Sequence, residues 1–385
     1  MARISTIDET KPRSKSKAKA SKTNNVVPAS SLSSPSATAV IVLGVLSSII
    51  GLGIHIKATR MSPDKSMAQL MTMSLNDFRK HLNLSKSWPG TQFFDNYTPA
   101  AFHYFLMLIT VFKEICINET GRGILLLVSN CIAPFCTFLA IEGLKDGKRA
   151  GLSITTLVLV TSLGQVICIG SAMPLVMGPL YAYTRWSEVK RPDYVFPSPS
   201  PSQFRVTCAT IFSIAALSTF FPTIFLPVNH QYWVMSNIAF QFFPLAWLPL
   251  VFFSTKANVI SKPASASARQ EPRLFAAQAY RMSGYFSIFI YYMSLYYGYP
   301  GFLAAYRNGG DWKNEGHYVL FWDGIGCLVF NYLIVLIDSY VDEAKVSKGA
   351  KRIHFKRFLP EDVIMGLPGI LILGPGWAMS TYFQR

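Results

Sequence analysis

Only a handful of side chains in this sequence could do acid–base chemistry inside an apolar environment. Asp323 lies in Phe321-Trp322-Asp323-Gly324, about one turn into a long apolar run, and Cys327 and Asn331 continue its helical face at i+4 and i+8. An acid at such a place costs roughly 2.5–3.5 kcal/mol even on the lenient insertion scale, so it is a candidate for function by default. Asp323 is the leading candidate proton donor, with Asn331 as a polar group able to orient it. The competing reading is a helix cap or a lysine partner near the headgroups, because the opening turn is where capping acids belong. Asp338, at the far end of the same run, and Glu142, at the end of another, are further candidate acids with a stronger interfacial reading. Glu114, next to Lys113, reads as a solvated pair.

A second resource is aromatic. Tyr285, Phe289, Tyr292, Tyr296 and Tyr299 recur at helical spacing and line one face. Such a wall can stabilise a cation through the ring quadrupole without offering a nucleophile that would trap it. Its plain alternative is tyrosine-rich packing with an interfacial belt. In Gly178-Pro179-Leu180-Tyr181-Ala182-Tyr183-Thr184-Arg185-Trp186 a Gly-Pro break precedes aromatics and one arginine. Arg185 and Trp186 could hold a polar or anionic end of a substrate. The alternative is a helix end whose arginine snorkels beside the tryptophan.

Several chemistries lack their signatures. The six histidines never pair at HxxH or HxxHH spacing, so a di-iron oxygenase has no ligand set. No DDxxD or NDxxDxxxD pattern supports a magnesium–diphosphate site, and Asn331 with Asp338 and Asp342 has the wrong spacing. GxxxxGK[ST] and GxSxG are absent. The six cysteines lie in or beside apolar segments without CxxC pairing. No metal, cofactor or disulfide framework is expected.

The elements that must position these residues follow from composition. Of 385 residues 51% are hydrophobic and only 15% charged, and the mean hydropathy is +0.30, which excludes a soluble enzyme with one core. Gly151 to Thr184, Val206 to Thr255, Met282 to Tyr306 and Val363 to Gln384 contain no Asp, Glu, Lys or Arg. The fold class is therefore an all-α polytopic membrane bundle of eight or nine transmembrane helices, since about 20 residues span a ~30 Å core. The runs centre on Ala37–Ile56, Thr98–Ile117, Gly123–Ile141, Gly151–Tyr183, Val206–Leu226, Tyr232–Phe253, Met282–Ala305, Val319–Ser339 and Ile364–Tyr382. The fourth is overlong and holds Pro174 and Pro179, which predicts a kink or a broken second half.

Residues 1–36 read as a disordered basic cytosolic tail and residues 37–385 as the membrane domain. The formal charge of +16 does not point to nucleic acid, because the basic residues sit in short loops between apolar runs. They mark topology and contacts to the lipid bilayer. With the amino terminus cytosolic, twice as many basic residues fall on the cytosolic side as on the other. The long connection His55 to Asp95 carries sequons at Asn83 and reaches toward another at Asn96, which would suit the lumen of the endoplasmic reticulum. Within it Met67, Leu70, Met71, Leu75, Phe78 and Leu82 recur at helical spacing and predict a helix along the membrane surface. No internal repeat supports a two-halved transporter.

In length, number of spans, the GPLYAYTRW-like segment at 178 to 186 and the FWDG segment at 321 to 324, the sequence resembles the fungal integral-membrane terpene cyclases of meroterpenoid pathways of the ascochlorin, ascofuranone and macrophorin type. The resemblance covers most of the chain from about residue 37. It implies protonation of a terminal epoxide or olefin on a farnesylated aromatic or cyclohexenone, then ring closure through carbocations without metal or diphosphate loss. It also implies pathway enzymes in the same membrane as partners. On this view Asp323 donates the proton, the aromatic face, Trp322, Arg185 and Trp186 contact substrate, and burial excludes water. A proton-coupled small-molecule transporter and a sterol-isomerase-like enzyme use similar residues and stand as alternatives.

Overall fold

In the computed structural model, residues 35–59, 72–83, 99–145, 152–190, 201–230, 232–254, 266–309, 312, 315–347 and 368–384 are described. Among them every regular element is helical, as the apolar runs predict, and there is no strand. The predicted tail lies outside the described residues up to position 34, as do Met67, Leu70 and Met71 of the predicted surface helix and the Asn96 sequon.

The helices are α1 (Pro35–Thr59), α2 (Leu75–His81), α3 (Pro99–Cys116), α4 (Glu119–Glu142), α5 (Ile154–Ile167), α6 (Ile169–Ala172), α7 (Gly178–Lys190), α8 (Gln203–Ser218), α9 (Phe220–Phe225), α10 (Trp233–Gln241), α11 (Val251–Ser254), α12 (Ala266–Arg307), α13 (Glu315–Ser347) and α14 (Pro375–Phe383). A π-helical turn, Met173–Met177, joins α6 to α7, and a 3₁₀ stretch, Phe243–Leu250, joins α10 to α11. Among the described residues four helices are long and apolar enough to cross a membrane: Thr38–Ala58, Glu119–Glu142, Gln203–Phe225 and Gly316–Val341. A fifth is counted if Trp233–Gln241 and Phe243–Ser254, bent by 49°, form one span. The expected eight or nine are thus not all intact apolar rods. The fourth predicted run is broken at Cys168 and again at the π turn, the last is interrupted at Gly374, and the seventh is diluted by tyrosines.

The core is built around α4, which is buried on nearly all sides by α3, α8, α12, α13 and α14. Its partners approach closely because they present small residues. On α12 the side facing α4 and α14 carries Gly284, Ser287, Ser294, Gly298 and Gly301. The Ser294 hydroxyl donates to the Gly123 carbonyl at 2.9 Å, and a β-carbon on Gly123 would run into the Gly298 backbone. The Asn130 amide donates to the Ser287 carbonyl at 2.5 Å and accepts from the Gly376 N–H at 2.9 Å, so one buried side chain of α4 joins α12 to α14.

Helix α1 lies on α7 and α13. It repairs the π turn, because the Ser47 hydroxyl donates to the Pro174 carbonyl at 2.7 Å and the Ser48 hydroxyl to the Leu175 carbonyl at 3.1 Å. Those are backbone groups in the widened π segment, and the side chains supply donors that the apolar surroundings do not. The opposite face of α1 exposes Ile41, Val45, Ile49 and Leu52, as a lipid-facing helix should.

The short α2 begins with a Ser74–Asp77 capping box and docks on α3 through buried Phe78 and Leu82. His81 meets Glu114 at 3.1 Å, and the Lys113 ammonium donates to the His81 carbonyl at 2.7 Å. The charges that end the second apolar run are therefore an anchor for α2, rather than only a solvated pair.

Candidate active site

Asp323 sits in the third turn of α13 and is 6% exposed. One of its carboxyl oxygens accepts the backbone N–H of Gly170. Gly170 is the second residue of α6, a helix that starts abruptly at Cys168 with φ +72° and without a side-chain cap of its own. The acid therefore caps a helix, as the competing reading allowed, but the helix is one on the other side of the contact. The two backbones touch. A β-carbon on Gly170 would overlap the Asp323 carbonyl oxygen, and one on Gly326 would overlap the Gly170 carbonyl oxygen.

Cys327 follows Asp323 by one turn on α13, and Cys168 immediately precedes α6, whose Gly170 N–H the carboxyl accepts. Among the described residues no cationic side chain pairs with it. Ser171, next to Gly170, is fully buried and its hydroxyl has no hydrogen-bond partner. The site thus combines a carboxyl, a helix start in an uncommon backbone conformation and an unspent hydroxyl.

Asn331 does not orient Asp323. Its amide donates to the Cys131 carbonyl at 2.8 Å, and its carbonyl oxygen is buried without a partner. Two turns along α13 separate it from the acid, so the face shared at i+8 is a face in projection and not a contact.

Asp338 is built differently. The Tyr181 hydroxyl lies 2.8 and 2.9 Å from its two oxygens, the Tyr382 hydroxyl donates at 2.8 Å, and the Arg185 Nε sits 3.0 Å away. The Arg185 guanidinium also lies 5.3 Å from the Tyr181 ring centroid, within cation–π range. This cluster joins α7, α13 and α14. Around it the interior is aromatic: Phe138 stacks on Phe383 at 4.1 Å, and Phe135 meets Phe330 edge-on at 4.7 Å. Arg185 therefore has an internal carboxylate partner instead of an open anion site. Glu142, also buried, pairs with Lys145 one turn on.

The aromatic wall of α12 points the other way. Tyr285, Phe289, Tyr292, Tyr296 and Tyr299 are between 50% and 76% exposed. The reason is the small-residue stripe on the opposite side of the helix, which packs against α4 and α14 and so turns the tyrosines outward. They are not brought together with Asp323, which corrects the expectation that they line its site. Trp322 stays partly buried beside Tyr318, and Trp186 packs partly buried against the core.

Sequence reasoning missed Tyr181 and Tyr382 as partners of Asp338, and Cys168, Gly170 and Ser171 beside Asp323. Tyr181 stands four residues before Arg185, so helical spacing could have paired them. Tyr382 had no such signal. Comparisons with protein-family models, curated proteins and solved structures each return no match.

Proposed function

We propose that the chain is an integral-membrane, proton-initiated terpene cyclase acting on a farnesylated aromatic or cyclohexenone. The observation that carries this reading is Asp323: a carboxyl buried in a span, without a cationic partner among the described residues, beside a broken helix. Acid-initiated cyclisation needs one such group in its protonated form when the substrate enters. The carboxyl O–H bond breaks as its proton goes to the terminal epoxide oxygen or olefin carbon. The neighbouring double bonds then supply the electrons that close the rings, and the last cation loses a proton to end the sequence. The Gly170 N–H fixes the carboxyl in place, and the apolar wall keeps water from the cation.

The same reading places the enzyme in the endoplasmic reticulum with nine crossings, its amino terminus cytosolic and Asn83 and Asn96 as candidate glycosylation sites. Reporter fusions at the two termini test the topology, and finding both on one side removes the odd crossing number.

The decisive experiment supplies microsomes carrying the chain with farnesylated phenols and their terminal epoxides, and analyses the products. Asp323→Asn retains an oxygen that can accept the Gly170 bond but no strong acid. It should accumulate normally and lose cyclisation by at least the ~100-fold typical of a removed general acid. Near-normal turnover would reduce Asp323 to a cap and move the test to Asp338 and Glu142.

A further inference from the structure

The outward face of α12 differs in chemistry from other outward faces of the bundle. On α1 the exposed side chains include Ile41, Val45, Ile49 and Leu52, and on α8 Ile211 and Ile214. Those are aliphatic. On α12 they are Tyr285, Phe289, Tyr292, Tyr296 and Tyr299. Lipid tails accept an aliphatic side chain readily but offer a phenol neither donor nor acceptor. At headgroup level a tyrosine needs no protein partner, so depth decides which of these hydroxyls does.

Helix α4 supplies the ruler. It is long and apolar enough to cross a membrane, and α12 runs antiparallel to it, because Gly123 meets Ser294 and Asn130 meets Ser287. The middle of α4 is thus level with Ser287. At ~1.5 Å per residue Tyr285 and Phe289 lie about 3 Å from that level and Tyr292 about 8 Å, inside a half-core of about 15 Å. Tyr296 and Tyr299, at about 14 and 18 Å, reach the headgroups and fit an interfacial belt. Tyr285 and Tyr292 do not. Among the described residues neither of their hydroxyls makes a hydrogen bond. Nor is α12 among the described helices apolar enough to cross on their own, although α4 beside it is.

The spacing shows what covers this face. From Met282 through Tyr285, Phe289, Tyr292, Tyr296 and Tyr299 the steps are 3, 4, 3, 4 and 3 residues, and Leu303 and Tyr306 extend them by 4 and 3. Met282 and the five aromatics are between 50% and 76% exposed. Such a run is the seam of a two-helix supercoil, with its period of about 3.5 residues. With aromatics of about 150–250 Å² each, the exposed part of the seam offers roughly 800 Å², what a standard interface takes from each partner. Copies of one chain share one topology, so their α12 helices run parallel. A two-fold axis along the membrane normal then sets each seam residue level with its own copy. A phenol both donates and accepts, so Tyr285 and Tyr292 complement themselves across that axis.

We infer that α12 packs on the α12 of a second copy, in a parallel homodimer with Tyr285 and Tyr292 bonded across its centre. Nothing in this rests on the cyclase reading.

The test reconstitutes the full chain, carrying donor or acceptor dye on an amino-terminal tag, in phosphatidylcholine vesicles at falling protein-to-lipid ratio. Energy transfer should persist well below the density of chance encounters. Tyr285→Phe/Tyr292→Phe keeps the rings, leaves the monomer fold intact and should weaken the dimer about tenfold, the size of two interhelical hydrogen bonds. In a second arm, Phe289→Cys oxidised with copper phenanthroline should give a cross-linked dimer. Ile49→Cys, on the lipid face of α1, should give no more than the unaltered chain. Transfer no greater than chance encounter at every dilution leaves the face to lipid and overturns the proposal. A dimer that the double tyrosine variant does not weaken, or that cross-links through position 49 and not 289, overturns it too.

Discussion

Replacing Asp338 by alanine tests whether this acid is a staple or a reagent. In the structure its oxygens are taken by Arg185 at 3.0 Å, Tyr382 at 2.8 Å and Tyr181 at 2.8 and 2.9 Å, and the Arg185 and Asp338 side chains are 14% and 12% exposed. Removing one partner of a buried ion pair costs about 3–5 kcal/mol, because the other charge is left without compensation. Each tyrosyl hydroxyl that loses its acceptor adds roughly 1 kcal/mol. Asp338→Ala should therefore destabilise the bundle by about 5–7 kcal/mol. Adding Arg185→Met removes the stranded charge, so the double variant should recover about 2–3 kcal/mol relative to the sum of the two single changes. Tyr382→Phe alone should cost only about 1 kcal/mol. The assay is thermal unfolding followed with a thiol-reactive fluorogenic maleimide, which Cys116, Cys131, Cys136 and Cys327 suit because they are free and buried. At roughly 2 °C per kcal/mol, Asp338→Ala should unfold at least about 10 °C lower. A loss below about 1 kcal/mol, or strictly additive single changes, would refute the staple and return Asp338 to the candidate proton donors.

Gly170→Ala should push α6 away from Asp323 and cost about 1–3 kcal/mol as an overpacked contact, and under the proposed function it should lower cyclisation as well. Gly53→Ala is its control, since no atom lies within 4 Å of a β-carbon there and the same thermal assay should show no loss. Ser47→Ala removes the donor to the Pro174 carbonyl and should lower stability by about 1 kcal/mol in that assay. On the exposed α2, hydrogen bonds from the Ser74 side chain, then its backbone, and the charge of Lys80 hold the Asp77 carboxyl below its ordinary 3.8. Its folded value is the lower one, so the capping box contributes fully above the ordinary aspartate range and is lost as pH falls through the lowered value. A carboxyl carbon-13 titration should show that midpoint, and Ser74→Ala, which removes the largest cause but keeps the backbone N–H and Lys80, should move it up toward the ordinary value.

The sequence by itself determined that this protein is all-helical, with several runs apolar enough to cross a membrane. Charge-free runs can be stable only in lipid or in a core, and a backbone in lipid must close its hydrogen bonds locally, so those runs became helices. Pro174 marked the broken fourth run because a proline cannot complete the ladder of an intact helix, and the π turn sits there. The acids worth watching, Asp323, Asp338 and Glu142, were legible for the same reason: a buried carboxyl is too costly to be incidental. What each acid does was decided only by packing. Periodicity defines a helical face but not which way it turns. The small residues opposite the tyrosines of α12 let α4 come close, and that preference sent the aromatic wall outward. Asp323 and Asp338 share one helix and one residue type, yet one received a single backbone N–H from α6 and the other an arginine and two tyrosines from α7 and α14. Those partners come from positions 44 to 157 residues away along the chain, and no local spacing encodes contacts made when separate helices meet.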